Sequence, residues 1–252
     1  MDFTNRIALI TGATSGIARA TALKLLEHNA TVIINYRDPQ DREDSNKALE
    51  EMRELVDGYG ERALFMMADV TDEEQVKAMF EQIGARFGRL DCLANIAGRN
   101  GFAPIEAIEM EDFKSIFDIN FFSRVLMTRY AVPLLKESAH PAIVNIASRM
   151  AIKPAPTASA YCAAEAATVM FTKSTAVELA KYGIRANTVS PGRTIEPDRE
   201  LNGPLEAYAK QNPRGRVGYT QDVANAIAFL LSDEADHING SDLAVNGGIL
   251  LV

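Results

Sequence analysis

Short apolar, β-branched runs alternate with longer segments of helical periodicity along the whole chain, and no other feature limits the available folds as strongly. The runs are Ile7–Ile10, Thr31–Asn35, Ala63–Met67, Cys92–Asn95, Ala142–Ile146, Ile184–Val189 and a final Asp242–Val245. The segments between them include Ala20–Glu27, Glu73–Phe87, Phe113–Leu135 and Ala163–Tyr182. A strand covered on both faces is apolar throughout, because neither side-chain direction meets water. The alternation therefore predicts an α/β fold: a doubly wound parallel sheet of seven strands with helices on both faces, in three layers. No linker, repeat or low-complexity tract divides the 252 residues, so one domain over 1–252 is expected.

The polar stretch from Asp38 to Glu54 reads as an exposed loop leading into a solvated helix. Pro154 and Pro156 mark a loop, and Pro191 to Pro204 interrupts the periodicity ahead of Leu205–Lys210. That interruption, about 191–212, is long enough for a substrate flap over a cleft. Apolar residues at 47% and charged residues at 24% can fill a core. With 26 basic against 34 acidic side chains, a net charge of −8 and no basic run, nucleic acid is a poor partner. No run approaches the ~18 consecutive apolar residues of a membrane span. Arg6–Ile10 enters a strand without a basic head or cleavage site, which points to the cytoplasm. Cys92 and Cys162 form neither a metal-ligand pattern nor a disulfide framework, so no metal is expected.

The first strand ends in Thr11-Gly12-Ala13-Thr14-Ser15-Gly16-Ile17-Ala18 and passes directly into an amphipathic helix. Glycines let backbone turn tightly and approach a pyrophosphate, whose charge then meets the helix N-terminus. Two glycines alone are a weak signal, consistent also with a plain βα turn.

This TGxxxGI spelling resembles the short-chain dehydrogenase/reductase family, and the resemblance continues in order along the chain. Asp69-Val70 matches the family's adenine-side acidic residue, and Asn95-Ile96-Ala97-Gly98 is similar to its NNAG motif. Asn120 stands where the family has a helix asparagine, Ser148 follows the fifth strand, and Tyr161 lies thirteen residues later. Pro191-Gly192 follows the sixth strand, and Asn246-Gly247-Gly248 resembles the usual DGG. The resemblance is strongest to the 3-oxoacyl-carrier-protein reductase subgroup. It implies a Rossmann-type sheet, a homotetramer or homodimer, and a nicotinamide cofactor across the C-terminal edge of the strands. Gly12, Thr14, Ser15, Gly16, Ile17, Asp69, Val70, Asn95, Ala97, Gly98, Pro191, Gly192 and Thr194 would then bind the cofactor. Ser148 would hold a substrate carbonyl, Tyr161 would exchange the proton, and Asn120 would hold a water in a proton relay.

After the second strand the chain reads Asn35-Tyr36-Arg37-Asp38. A carboxylate at the strand end accepts from the adenosine ribose and repels a 2′-phosphate, whereas a guanidinium binds one through its forked donors. Arg37 therefore favours NADP(H) over NAD(H), with Asp38 and Ser15 weighing the other way.

One residue departs from the family's Tyr-x-x-x-Lys signature. Tyr161-Cys162-Ala163-Ala164-Glu165 places Glu165 on the tyrosine's helix face, where the family has lysine. That lysine binds the nicotinamide ribose and favours ionisation of the phenol. A glutamate can accept the ribose hydroxyls but opposes ionisation. A unit charge about 5 Å away at an effective dielectric of about 20 is worth roughly 3 kcal/mol, so reversing its sign penalises alcohol oxidation most. No nearby lysine is evident. Lys173 lies about 120° around the helix and roughly 18 Å along it, which leaves Lys153, in the loop after Ser148. Glu196 stands where the family often has a carboxamide-binding threonine, with Thr194 as the alternative.

Arg99, Arg149 and Arg193 each follow a family motif at a strand end. They would either hold an anionic substrate, compensate Glu165 and Glu196, or lie as solvated rim charges. His28, His140 and His237 match no catalytic position. Three activities are consistent with these residues: a carbonyl reductase acting on a small molecule, an enzyme using Tyr161 and Glu165 for non-redox acid–base chemistry, or a silent cofactor-binding scaffold. Replacing Glu165 with lysine is the expected discriminator.

Overall fold

The structure, a computed structural model, describes residues 1–38 and 43–252. Residues 39–42, part of the polar loop, lie outside it. In chain order the elements are β1 Ile7–Ile10, α1 Gly16–Glu27, β2 Thr31–Tyr36, α2 Glu43–Val56, β3 Ala63–Met67, α3 Glu73–Phe87 and β4 Cys92–Asn95. They continue with α4 Met110–Phe117, α5 Ser123–Leu135, β5 Ala142–Ile146, α6 Ser159–Leu179, β6 Arg185–Pro191 and β7 Thr194–Ile195. The last are α7 Gly203–Gln211, β8 Gly218–Tyr219, α8 Thr220–Leu231 and β9 Asp242–Val245.

Seven strands form one parallel sheet in the order β3-β2-β1-β4-β5-β6-β9. The expected seven-stranded, three-layered sheet is therefore present. Successive strand side chains point to opposite faces, and β1 shows the result. Ala8 and Ile10 join the apolar layer beneath α1 and α8, while Ile7 and Leu9 join the layer beneath α3, α5 and α6. Burying a side chain such as Leu9, Ile33 or Leu93 contributes roughly 1.5–3 kcal/mol, so the apolar runs hold both helical layers to the sheet. The strand order reverses between β1 and β4, and the loops leaving these two strands diverge there to open a crevice.

Three expected helices differ in outline, the one over Ala163–Tyr182 spanning Ser159–Leu179 instead. The first begins at Gly16 instead of Ala20, because the turn after β1 runs straight into helix with an extended Ser15 at its head. The expected Phe113–Leu135 helix is instead α4 and α5, joined by a π-helical turn over Asp118–Phe122. A widened turn changes which faces its neighbours present, and here it sinks Asn120 into the core. The 191–212 stretch carries β7, paired with β8 in a small second sheet, and the helix α7.

Candidate active site

Two adjoining cavities, of about 650 and 520 Å³, run along the C-terminal edge of the strands. They share Ile17, Ile96, Gly98 and Arg99, so they form one crevice. At the β1–β2–β3 end the walls include Gly12, Thr14, Ser15, Arg37, Asp69 and Val70, with Ala97 toward the middle. At the other end they include Asn120, Ser148, Tyr161, Glu165, Pro191 and Thr194.

The glycines of the turn do different work. A Cβ on Gly12, at φ +66°, would press to 3.2 Å on Ala97, so this glycine lets two loops touch. Gly16, at φ +57°, faces open space, as a backbone that receives a ligand would. Its N–H, however, is already taken. The Glu196 Oε1 accepts from the Gly16 amide at 3.1 Å and from Arg19 Nη2 at 3.0 Å, while Oε2 accepts from the Thr220 hydroxyl at 3.0 Å. Glu196 thus turns away from the Tyr161 end and caps the positive end of α1. Thr194 stays at the crevice, its hydroxyl on the Gly192 carbonyl at 3.2 Å.

Arg37 is half-exposed, with its guanidinium 3.8 Å from Asp69. Asp69 in turn accepts from the Thr71 amide and hydroxyl at 2.9 and 2.7 Å, closing a turn after β3. Asn95 does not line the crevice. It is buried and donates to Asn145 Oδ1 at 2.8 Å, and Asn145 donates to Thr172 on α6, so its role is to tie β4 and β5 to that helix.

At the far end, the phenol of Tyr161 lies beside Ser148, whose hydroxyl also accepts from the Met150 amide at 3.2 Å. Burial, reinforced by the Glu165 charge, pushes the Tyr161 phenol well above its ordinary range, against the lowering influence of Ser148 and Arg124. Asn120 spends its side chain on protein. It donates to the Arg99 and Ile116 carbonyls at 2.9 and 3.0 Å and accepts from the Arg99 amide at 3.1 Å. Its main-chain carbonyl accepts from the Thr168 hydroxyl at 3.1 Å.

The sequence reading finds no lysine to offset Glu165; the structure supplies an arginine instead. Arg124 Nη1 of α5 stands 3.6 Å from Glu165 Oε1, and both side chains are at most 2% exposed. Nη1 also donates to Thr168 Oγ1 at 3.1 Å. Among the described residues, Glu165 Oε2 and Arg124 Nε have no hydrogen-bond partner. Burial raises the Glu165 carboxyl above its usual range and Arg124 works against that. The sequence signal was a lone charge in Phe121-Phe-Ser-Arg-Val-Leu-Met127, four residues past Asn120 and so on its helix face. Lys153 does not reach in; it bonds the Val252 carbonyl. Lys173 is exposed.

Arg99, Arg149 and Arg193 all line the Tyr161 end of the crevice. They do not compensate the two glutamates, since Arg124 and Arg19 do. Arg99 instead bonds the Ser115 hydroxyl at 2.6 Å, and Arg149 lies over the Tyr208 ring. None of the three histidines lines the crevice: His140 contacts Asp233, and His237 is exposed.

Comparison with known proteins shows which family the chain belongs to. Residues 12–250 match the family model described as enoyl-(acyl carrier protein) reductase. The chain is a short-chain dehydrogenase/reductase. This dehydrogenase/reductase is 35% identical to a cis-4-hydroxycyclohexanecarboxylate dehydrogenase of Sinomonas cyclohexanicum, over 99% of this chain and 98% of the relative. It is 32% identical to the 3-oxoacyl-[acyl-carrier-protein] reductase FabG of Thermotoga maritima, over the whole of both chains. Among solved structures it superposes on a gluconate 5-dehydrogenase from Burkholderia cenocepacia J2315, solved with NADP and tartrate. That superposition has a TM-score of 0.88 and 30% identity, and covers 100% of this chain and 97% of that one. The dehydrogenase/reductase is thus an oxidoreductase of CH–OH and C=O groups that uses a nicotinamide cofactor. Its crevice has room for that cofactor, with space beside the Gly16 Cα and, among the described residues, an unpartnered carboxylate oxygen at Glu165.

Proposed function

We propose that this chain reduces the carbonyl of a small molecule with NADPH, Tyr161 delivering the proton. The observation that carries this is a continuous crevice with Arg37 at one end and the Ser148–Tyr161 pair at the other. Gly12, Thr14, Ser15, Gly16 and Ile17 would cradle the pyrophosphate, Arg37 the 2′-phosphate, and Asp69, Val70, Ala97 and Gly98 the adenosine side. Asn95 supports that wall from beneath. Pro191, Gly192, Thr194, Tyr161 and Glu165 would surround the nicotinamide half. The bound nicotinamide supplies a hydride to the carbonyl carbon. Ser148 donates a hydrogen bond to the carbonyl oxygen, and Tyr161 gives that oxygen its proton, leaving a phenolate that is reprotonated from solvent. A phenol held protonated suits this direction, since alcohol oxidation requires the phenolate as base.

Asn120 keeps its main-chain carbonyl at the Thr168 hydroxyl, which suits a proton relay only after that hydroxyl turns to Ala164, also 3.1 Å away. Arg99, Arg149 and Arg193 support an anionic substrate, and 191–212 serves as the flap above it. Exposed Met170 and Val177 on α6 support a homodimer or homotetramer through that helix. The setting is cytoplasmic, on one domain, without nucleic acid or membrane. Among the described residues no helix is long and apolar enough to cross a membrane.

The test is fluorescence titration with NADPH and NADH, followed by carbonyl reduction with wild type and Tyr161→Phe. Micromolar NADPH binding with NADH weaker, and loss of reduction in Tyr161→Phe, is expected. Binding of neither cofactor at millimolar concentration overturns the reading.

A further inference from the structure

Arg124 and Glu165 are both buried, come from different helices, and meet on the wall that also holds Tyr161. A buried ion pair is costly to assemble, so replacing it with apolar residues is often neutral or stabilising, whereas removing one partner strands a charge. This pair has a third anchor in Thr168, which receives Nη1 of Arg124 and lies one turn from Glu165 on α6. A Cβ on Gly98 would come within 3.6 Å of Arg124 Nη2, so the guanidinium lies under the loop after β4 at the middle of the crevice. The buried positive charge on this wall therefore comes from α5, not from the helix that carries Tyr161.

We infer that Arg124 is a positioning residue for proton transfer: its guanidinium is the cation of the Tyr161 wall, and Glu165 both holds it there and cancels its charge toward the phenol. The charged and titratable groups around Tyr161 are Glu165 and Cys162 on its own helix, Arg124 on α5, and Arg99, Arg149, Arg193 and Arg199 across the cavity. Among these, Arg124 and Glu165 are the two whose charges are buried and opposed. With the pair neutral as a whole, burial keeps Tyr161 a phenol, which favours donation over abstraction. It also changes what Glu165→Lys would do. A lysine at 165 would face Arg124 across about the same gap, two cations in a dry site, so that single substitution damages the wall instead of restoring the family arrangement.

The inference deepens the reductase reading, but its main test needs no cofactor. Tyr161 ionisation is read as the ultraviolet absorbance difference between each variant and the same variant carrying Tyr161→Phe. Glu165→Gln leaves the Arg124 charge uncancelled, so the phenol should ionise at least one pH unit lower than in wild type. Adding Arg124→Leu to Glu165→Gln should return it upward, while Arg124→Lys in its place should not. A second pair guards against misfolding. Glu165→Lys should lower the melting temperature and weaken NADPH binding at least tenfold, and Arg124→Leu/Glu165→Lys should recover both. Identical phenol titrations of Glu165→Gln with and without Arg124→Leu overturn the inference. So does a Glu165→Lys variant as stable and as tight for NADPH as the double variant. Failure of wild type to bind NADPH would instead sink the reductase reading and leave the phenol titration to decide Arg124.

Discussion

Glu196 Oε1 lies 3.1 Å from the backbone nitrogen of Gly16, so a carboxylate from the loop after β7 occupies the first amide of α1. The helix N-terminus is the place where a dinucleotide's pyrophosphate gains most from backbone N–H groups and the helix dipole. In the proposed binding mode, cofactor and Glu196 would compete for one donor. Glu196→Ala should bind NADPH several-fold more tightly in a fluorescence titration, with a larger thermal shift at saturating cofactor. Equal or weaker binding would show that Glu196 leaves the amide at no cost, or supports the site in another way.

Arg37 lines the end of the crevice where the proposed 2′-phosphate would rest, with its guanidinium 3.8 Å from Asp69. Charge-assisted hydrogen bonds to phosphate contribute about 1.5–3 kcal/mol. Arg37→Ser should therefore raise the NADPH dissociation constant about 10- to 100-fold and leave NADH within about twofold. Parallel losses for both cofactors would remove Arg37 from the choice between them.

Gly98 has no room for a methyl group. A Cβ there would come to 2.6 Å from Asn120 Oδ1, the acceptor of the Arg99 amide. Overpacking at such a point costs typically about 1–3 kcal/mol. Gly98→Ala should lower the melting temperature by several degrees and weaken cofactor binding. Gly58→Ala, where a Cβ meets nothing within 4 Å, is the control and should change neither. Equal melting curves for the two variants would mean that the Asn120 turn yields easily.

Asp222 anchors the start of α8. It accepts from Arg216 through both oxygens, at 2.6 and 3.0 Å, and from the Tyr219 amide at 2.8 Å. The Arg216 hydrogen bonds hold its carboxyl below the usual carboxylate range. A carboxylate depressed in the folded state stabilises fully above its unfolded pKa, about 3.9, and loses that contribution as pH falls through the folded value. Asp222→Asn should therefore cost about 1 kcal/mol near neutrality. The gap between its denaturation midpoint and that of wild type should close below about pH 4. A gap that stays constant down to pH 2 would assign the loss to packing.

The apolar runs placed all seven strands within one or two residues of their ends, because a strand buried on both faces carries its environment in its own composition. They could not show the widened turn at Asn120. Helical periodicity continues through Phe113–Leu135, and only packing against α6 sets where a helix opens. Gly16, Arg37, Ser148 and Tyr161 were legible for a similar reason: each sits next to a strand end or keeps a fixed helical spacing, both local properties.

Arg124 and Glu196 were not legible as partners. Glu165 is 41 residues from Arg124, and Glu196 is 180 residues from Gly16. The sequence by itself determined the sheet, the family and a glutamate, Glu165, four residues past Tyr161. Only the tertiary structure decided that this glutamate faces Arg124 of α5 and that a second one, Glu196, caps α1. Charge pairing depends on distance through space and on exclusion of water, and neither is a property of any segment read alone.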